Sequence, residues 1–336
     1  GTAARGTAFM FNRTRIARVI VASLIIITIS AITFASPWTQ ALSLLGFASA
    51  ENSVNIVSAT AEPMFVVGTC DVATSGLPIE VESSLPSGPT AYANLAAAFA
   101  AINAGTHQGT INVEVCFNST ETAATVLNSS GAGSANYTSI SIRPLADGLT
   151  ISGPTVTGRG LIELNGADNV TIDGDNPNTA GTNRNLTIQN TATNTVTYSQ
   201  VIRIALATSI ITSSNDVTIK NLNLLGNATG RNISTATSST ATENLSYGIY
   251  ASGGASTVSQ TTAPTAISST STTIGTGATA NNLTIQNNFL NSAARGIAIQ
   301  GSATTVFPGL LIEGNTVGNS TAAAADQVYS MGITAQ

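Results

Sequence analysis

Apolar and polar residues alternate in short runs along much of the chain, the period of a half-buried strand. In TINVEVCF at 110–117, Ile111, Val113, Val115 and Phe117 share one face, and Asn112, Glu114 and Cys116 the other. Further strands are predicted at 64–67, 79–81, 139–143, 149–152 and 161–164. From 169 onward a phrase recurs: Asn or Asp, an aliphatic residue, Thr, Ile, a polar residue, then often Asn. It reads NVTID at 169–173, NLTIQN at 185–190, DVTIKN at 216–221 and NLTIQN at 282–287, with a looser LLIEGN at 310–315. A glycine-framed phrase alternates with it: GIYASG at 248–253, GIAIQG at 296–301 and MGITA at 331–335. VIRIAL at 201–206 takes an equivalent place without the glycines.

Such internal repeats predict a solenoid, in which each unit buries its apolar face by stacking on the next. The steps from Ile188 to Ile219 (31 residues) and from Ile285 to Ile312 (27 residues) each fit one rung. The step of 66 from Ile219 to Ile285 holds a Ser/Thr-rich stretch, 253–281, which reads as a loop unable to pack a core. Residues 232–243 read as a second such loop. Asn at a recurring corner tolerates a left-handed backbone and can bond the next rung through its amide. An amide ladder is therefore expected at Asn169, Asn185, Asn190, Asn221, Asn282 and Asn287. Several of these also form glycosylation sequons, which strand chemistry in an Asn- and Thr-rich chain explains equally well.

One stretch has a helical period. Tyr92, Leu95, Phe99 and Ile102 form a single stripe over 91–103, with a turn and N-cap at 87–90 and a C-cap at 103–105. Such a helix can cover the open apolar face of a first rung.

The ends of the chain have their own character. Arg13, Arg15 and Arg18 precede an apolar run at 19–34, and Ala48-Ser49-Ala50 follows. Residues 1–50 thus read as a signal peptide, with 1–9 as upstream translation before Met10 and an uncleaved membrane anchor as the alternative. Residues 51–88 form a lead-in, and 89–336 the repeat domain. The chain stops inside a repeat, as a piece of a longer protein would.

Charge narrows the partners. Only 8% of residues are charged, against about a quarter in typical domains. Beyond residue 50, seven basic residues face sixteen acidic ones, a net charge of −9. This excludes nucleic acid as an expected partner and leaves the membrane only through the leader. Export also favours a disulfide between Cys70 and Cys116, the two cysteines, over two buried thiols. The expected location is secreted or cell-surface; the oligomeric state is not specified by the sequence.

The stretch GLIELNGADNVTIDG at 160–174, the two NLTIQN copies and GIAIQG resemble right-handed parallel β-helix proteins of the pectate-lyase-like type, over about residues 90–336. The resemblance implies an all-β fold, a right-handed parallel β-helix solenoid with an N-terminal amphipathic capping helix. It implies two functional classes. One is a non-catalytic secreted or cell-surface protein with an adhesive or structural role, able to bind extracellular polysaccharide. The other is a polysaccharide lyase or glycoside hydrolase with its active residues on later rungs.

Catalytic candidates are few, and no paired Asp, Gly-His-Gly or Arg-x-Lys element of the enzymes is found. His107, the sole histidine, reads as a surface-loop residue. Asp168, Asp173 and Asp175 form the best acidic group, either a turn or a calcium site, although Pro177 breaks the calcium-loop pattern. No other cofactor is expected. Arg203 and Lys220 should lie outward on neighbouring strands, where they could contact an acidic sugar.

Overall fold

The structure, a computed structural model, describes residues 68–207, 213–228, 245–255, 263–268, 279–301, 307–318 and 328–335. The leader at 1–50, the strand expected at 64–67 and the loop at 232–243 lie outside them. The chain begins with β1 (Ile79–Leu85), β2 (Thr90–Tyr92), α1 (Leu95–Asn103), β3 (Gln108–Val115), β4 (Ser119–Thr120) and β5 (Thr125–Asn128). Then come β6 (Tyr137–Pro144), β7 (Leu149–Gly153), β8 (Gly160–Asn165), β9 (Val170–Asp173), β10 (Leu186–Asn190), β11 (Gln200–Ala207), β12 (Thr218–Lys220) and β13 (Leu222–Leu225). The last are β14 (Tyr247–Ala255), β15 (Thr284–Gln286), β16 (Phe289–Asn291), β17 (Ala293–Ile299), β18 (Leu311–Glu313), β19 (Thr316–Val317) and β20 (Val328–Ala335).

These strands form one sheet of eight and two of six. From β6 onward each strand pairs in parallel with the strand three before it, so the chain visits the three sheets in turn. The register places like residues side by side. Ile142, Ile172, Ile219, Ile285 and Ile312 align across the first sheet. Ile151, Ile188, Leu224, Leu290 and Val317 align across the second, and Leu164, Ile204, Ala251 and Ile299 across the third. These columns belong to one core in which most members have no exposed surface. Burying one such side chain stabilises by about 1.5–3 kcal/mol.

The expected all-β, right-handed parallel β-helix with an N-terminal capping helix is corrected here. The described residues form a sheet-rich arrangement of three mostly parallel sheets with one α-helix, and the largest sheet is mixed. β1 runs antiparallel to both β2 and β3, with a bulge between Ser83 and Leu85. The physical reason is local: the short connection at 86–89 forces a hairpin-like return, and no repeat phrase precedes residue 108 to impose a parallel step. The eight-stranded sheet also begins at Ile79, inside the stretch assigned to the lead-in.

The helix starts later than the stripe suggested. Thr90–Tyr92 is a strand, and Asn94 is the N-cap, its Oδ1 accepting from Ala97 N at 2.8 Å. Leu95, Ala98, Phe99 and Ile102 are the buried face. Glu121, wholly buried, accepts from Leu95 N and Ala96 N, each at 2.9 Å, so a carboxylate sits on the positive helix end. At the other end Asn103 bonds Val126 O and Asn128 N on edge strand β5, occupying groups a bare edge would leave open. Phe117, expected inward, is 40% exposed, because β3 stops at Val115.

Candidate functional site

The outer face of the eight-stranded sheet carries the most regular set of polar groups among the described residues. With Ile172, Ile219 and Ile285 inward, the residues flanking them point outward. Two rows result. One follows Asn112, Ser141, Thr171, Thr218 and Thr284. The other follows Glu80, Glu114, Arg143, Asp173, Lys220, Gln286 and Glu313. Neighbours within a row lie one strand spacing apart, about 4.8 Å. Thr171, Thr218, Lys220, Thr284 and Gln286 are half-buried, and Glu313 is exposed.

Charges alternate along the centre of the second row. Asp173 lies 3.3 Å from Lys220 Nζ and 3.9 Å from Arg143, and Gln286 donates to Glu313 at 3.2 Å. At the N-terminal end the signs no longer alternate. Glu114 is 3% exposed and directly opposite Glu80, and its Oε2 has no hydrogen-bond partner among the described residues. Burial first, then Glu82, Glu80 and Asp71, push its pKa up to about 8, with Arg143 opposing. Burial first, then Glu80 and Asp71, raise the pKa of Glu82.

Asp173, Asp175 and Asp168 do not converge on one site. Asp173 Oδ1 accepts from Asp175 N and Asn221 Nδ2, and Asp175 Oδ1 accepts from Asn183 N. Asp168 precedes the other end of β9 and accepts from Asn215 N, its pKa raised chiefly by burial. The calcium reading of this trio is therefore corrected in favour of the turn: Asp173 and Asp175 share one turn whose oxygens already face N–H donors, and Asp168 lies apart from it.

Arg203 is also corrected. It does leave the core face, as alternation requires, but it has no exposed surface. Residues 263–268 cover it: Arg203 donates to Thr265 O at 2.8 Å and lies 3.5 Å from buried Glu163, which also pairs with Arg159. Burial pulls its pKa down against the pull of Glu163. Ile267, within the stretch expected to pack no core, packs on Tyr247 and Tyr250. Lys220 stays accessible, its side chain 35% exposed.

His107 is corrected from surface residue to buried one, at 1% exposure. Ser83 Oγ donates to Pro86 O, so it accepts from His107 Nδ1 at 3.1 Å, leaving Nε2 to accept from Tyr92 OH at 2.6 Å. Burial lowers its pKa.

The amide ladder involves fewer residues than expected and others in addition. Asn287 donates to Asn221 at 2.7 Å, Asn221 to Asp173 at 2.8 Å, and Asn282 to Asp216 at 2.8 Å. Asn169, Asp216, Asn221, Asn282 and Asn287 all have φ between 53° and 57°. Asn185 and Asn190 are corrected: Asn185 precedes and Asn190 ends β10 of the second sheet, where Asn185 bonds Asp147 and Asn190 accepts from Thr155. At the corner where Asn221 and Asn287 sit, the chain substitutes Gly174 and Gly314. A side chain on Gly174 would meet Asn221 O, and Gly314 has φ +63°. A pair the sequence reading missed, buried Asn288 and half-buried Asn315, bonds at 3.0 Å and caps Ile219 O and Ile285 O.

Cys70 and Cys116 form a disulfide, 46 residues apart in sequence. Among the described residues no helix is long and apolar enough to cross a membrane. Comparisons of the chain with protein-family models, with curated proteins and with solved structures found no match.

Proposed function

We propose that this chain is a non-catalytic, secreted or cell-surface protein with an adhesive or structural role, and that it binds extracellular polysaccharide along the outer face of the eight-stranded sheet. The observation that carries the reading is the in-register repetition of Thr171, Thr218 and Thr284 beside Lys220 and Gln286. Hydroxyl, amide and ammonium groups spaced by one strand offer a polymer of sugars repeated hydrogen-bonding partners on a shallow surface. Export is supported by the leader at 1–50 and by a disulfide, which persists in oxidising compartments. The acidic balance argues against nucleic acid.

The test is affinity electrophoresis through gels containing a panel of acidic and neutral polysaccharides. The wild type should be retarded by at least one of them. The double variant Thr218→Val, Lys220→Glu should bind that polymer about tenfold more weakly, a loss of about 1.4 kcal/mol. Unaltered retardation of the variant would remove this face from the function.

A further inference from the structure

The chain enters β1 through a short arm, residues 68–78, that lies over two buried carboxyl groups. Cys70 ties the arm to Cys116, the residue after the end of β3. The backbone N–H groups of Asp71, Val72 and Ala73 donate to Glu80 at 3.1, 2.7 and 2.8 Å, one to Oε1 and two to Oε2. Thr74 and Leu77 then bond each other through both backbone groups, at 3.0 and 2.9 Å, and turn the chain toward β1. Gly68, at the start of the arm, rests on Glu114, so that a side chain there would strike the Glu114 carboxyl group. The arm is thus held by one covalent bond and by Glu80, and it covers Glu114.

Glu80 and Glu114 stand directly opposite each other in the antiparallel ladder, so both side chains leave the same face. Glu80 has no exposed surface, and Glu114 has almost none. Two carboxyl groups so placed resist ionising together, because each charge loses its hydration and repels the other. All three donors of the arm go to Glu80. Glu114 Oε2 receives none among the described residues. The proton that the pair retains therefore rests on Glu114. The charged groups that face it are Glu80 and Glu82 on β1, Asp71 on the arm and Arg143 on β6. The three acidic groups oppose its ionisation, and Arg143, which favours it, is shared with Asp173. Burial first, and then those three neighbours, place the pKa of Glu114 at about 8.

We infer that the arm is a pH-sensitive latch: an uncharged Glu114 lets the arm close over the Glu80–Glu114 pair, and loss of its proton drives the arm off while the disulfide keeps it tethered. With the arm lifted, water reaches the pair and Glu114 titrates near the ordinary value of 4.5. The closed arm therefore holds this proton more tightly than the open one. Closing is strongest below 4.5, weakens by up to about tenfold per pH unit as the pH rises, and levels off above about 8. Glu82, whose pKa is raised mainly by burial, adds to the effect in the same direction. His107 acts in the opposite direction, but it precedes the other end of β3 and bonds Ser83 and Tyr92 instead.

The experiment uses the full chain and two measurements by nuclear magnetic resonance. The first follows the carboxyl carbons of the glutamates through a pH titration, with Glu114 assigned by the signal that Glu114→Gln removes. The second follows hydrogen exchange of single amides as protection factors, which take out the intrinsic dependence of exchange on pH. In the wild type the Glu114 carbon should titrate with a midpoint above about 7, well clear of the ordinary carboxylate range. Protection of the Asp71, Val72 and Ala73 amides should fall at least about tenfold between pH 5.5 and 8, with no such fall in β9 and β12. Glu114→Gln, uncharged at every pH, should lose most of that fall and stay protected at pH 8. A Glu114 midpoint below about 7 would overturn the proposal. So would protection at residues 71–73 that does not change with pH, or a fall as large in Glu114→Gln as in the wild type. The midpoint and the wild-type exchange are read without any substitution, so the proposal remains open to refutation even where the variant folds poorly.

Discussion

The two ends of the described chain are held by different means. Before residue 108 the backbone runs antiparallel, one helix is capped by Asn94 and Glu121, and a disulfide ties the arm to the end of β3. After residue 137 the same few interactions recur strand after strand: an inward aliphatic residue, an outward Thr, and an Asn or Gly at the corner. Where the repeat phrase is present, each strand brings its own stabilisation. Where it is absent, cross-links and caps made by residues distant in sequence do the same task. The outer face divides at the same place, with opposite charges side by side on the repeats and carboxylates crowded together at the start.

The largest expected effect breaks the first region. Cys116→Ser opens a loop of 46 residues and should cost about 4 kcal/mol in denaturant titration, with hydrogen exchange rising mainly before residue 117. Ile219→Ala breaks the second. It leaves a cavity in the column between Ile172 and Ile285 and should cost about 3 kcal/mol, with exchange rising in β9, β12 and β15 and not in β1. Asn221→Ala should cost about 2 kcal/mol, from a left-handed backbone and two lost ladder bonds. Asn221→Gly, which keeps the backbone, should cost about 1 kcal/mol.

The smallest effect sharpens the contrast through pH. Burial holds the pKa of His107 below its ordinary value of 6.5, so the unfolded chain takes up its proton first. Stability should therefore be unaffected by this group above 6.5 and should decline as pH falls below it. Protonation would set an N–H of the ring against the Tyr92 hydroxyl donor. His107→Gln should flatten that part of the stability curve in thermal melts between pH 7.5 and 5.

Much of the repeat region was legible in the sequence, because a period of two fixes which residues point inward. Ile172, Ile219 and Ile285 are buried where alternation puts them. What alternation does not carry is the identity of the sheet. The hexapeptide NLTIQN occurs twice without change, yet 185–190 lies in the second sheet and 282–287 in the first. Its residues specify a strand with polar ends, while the length of chain before it decides which side it joins. Hence the spacing of 31 residues between Ile188 and Ile219 linked strands of different sheets, and Asn185 and Asn190 left the ladder. Arg203 shows a second limit. Its outward direction was readable, but its cover comes from residues 263–268, about sixty positions later. The acidic cluster was hidden for a similar reason, since Asp71 reaches Glu80 only through a disulfide and a strand reversal.

The claim that binding proceeds without chemistry is tested most directly by prolonged incubation of the purified chain with the polysaccharide that retards it. Reducing ends and unsaturated products are then measured. The account predicts retention of the polymer with no product above a protein-free control. Product that accumulates in proportion to the protein would contradict it and point instead to a polysaccharide lyase or glycoside hydrolase.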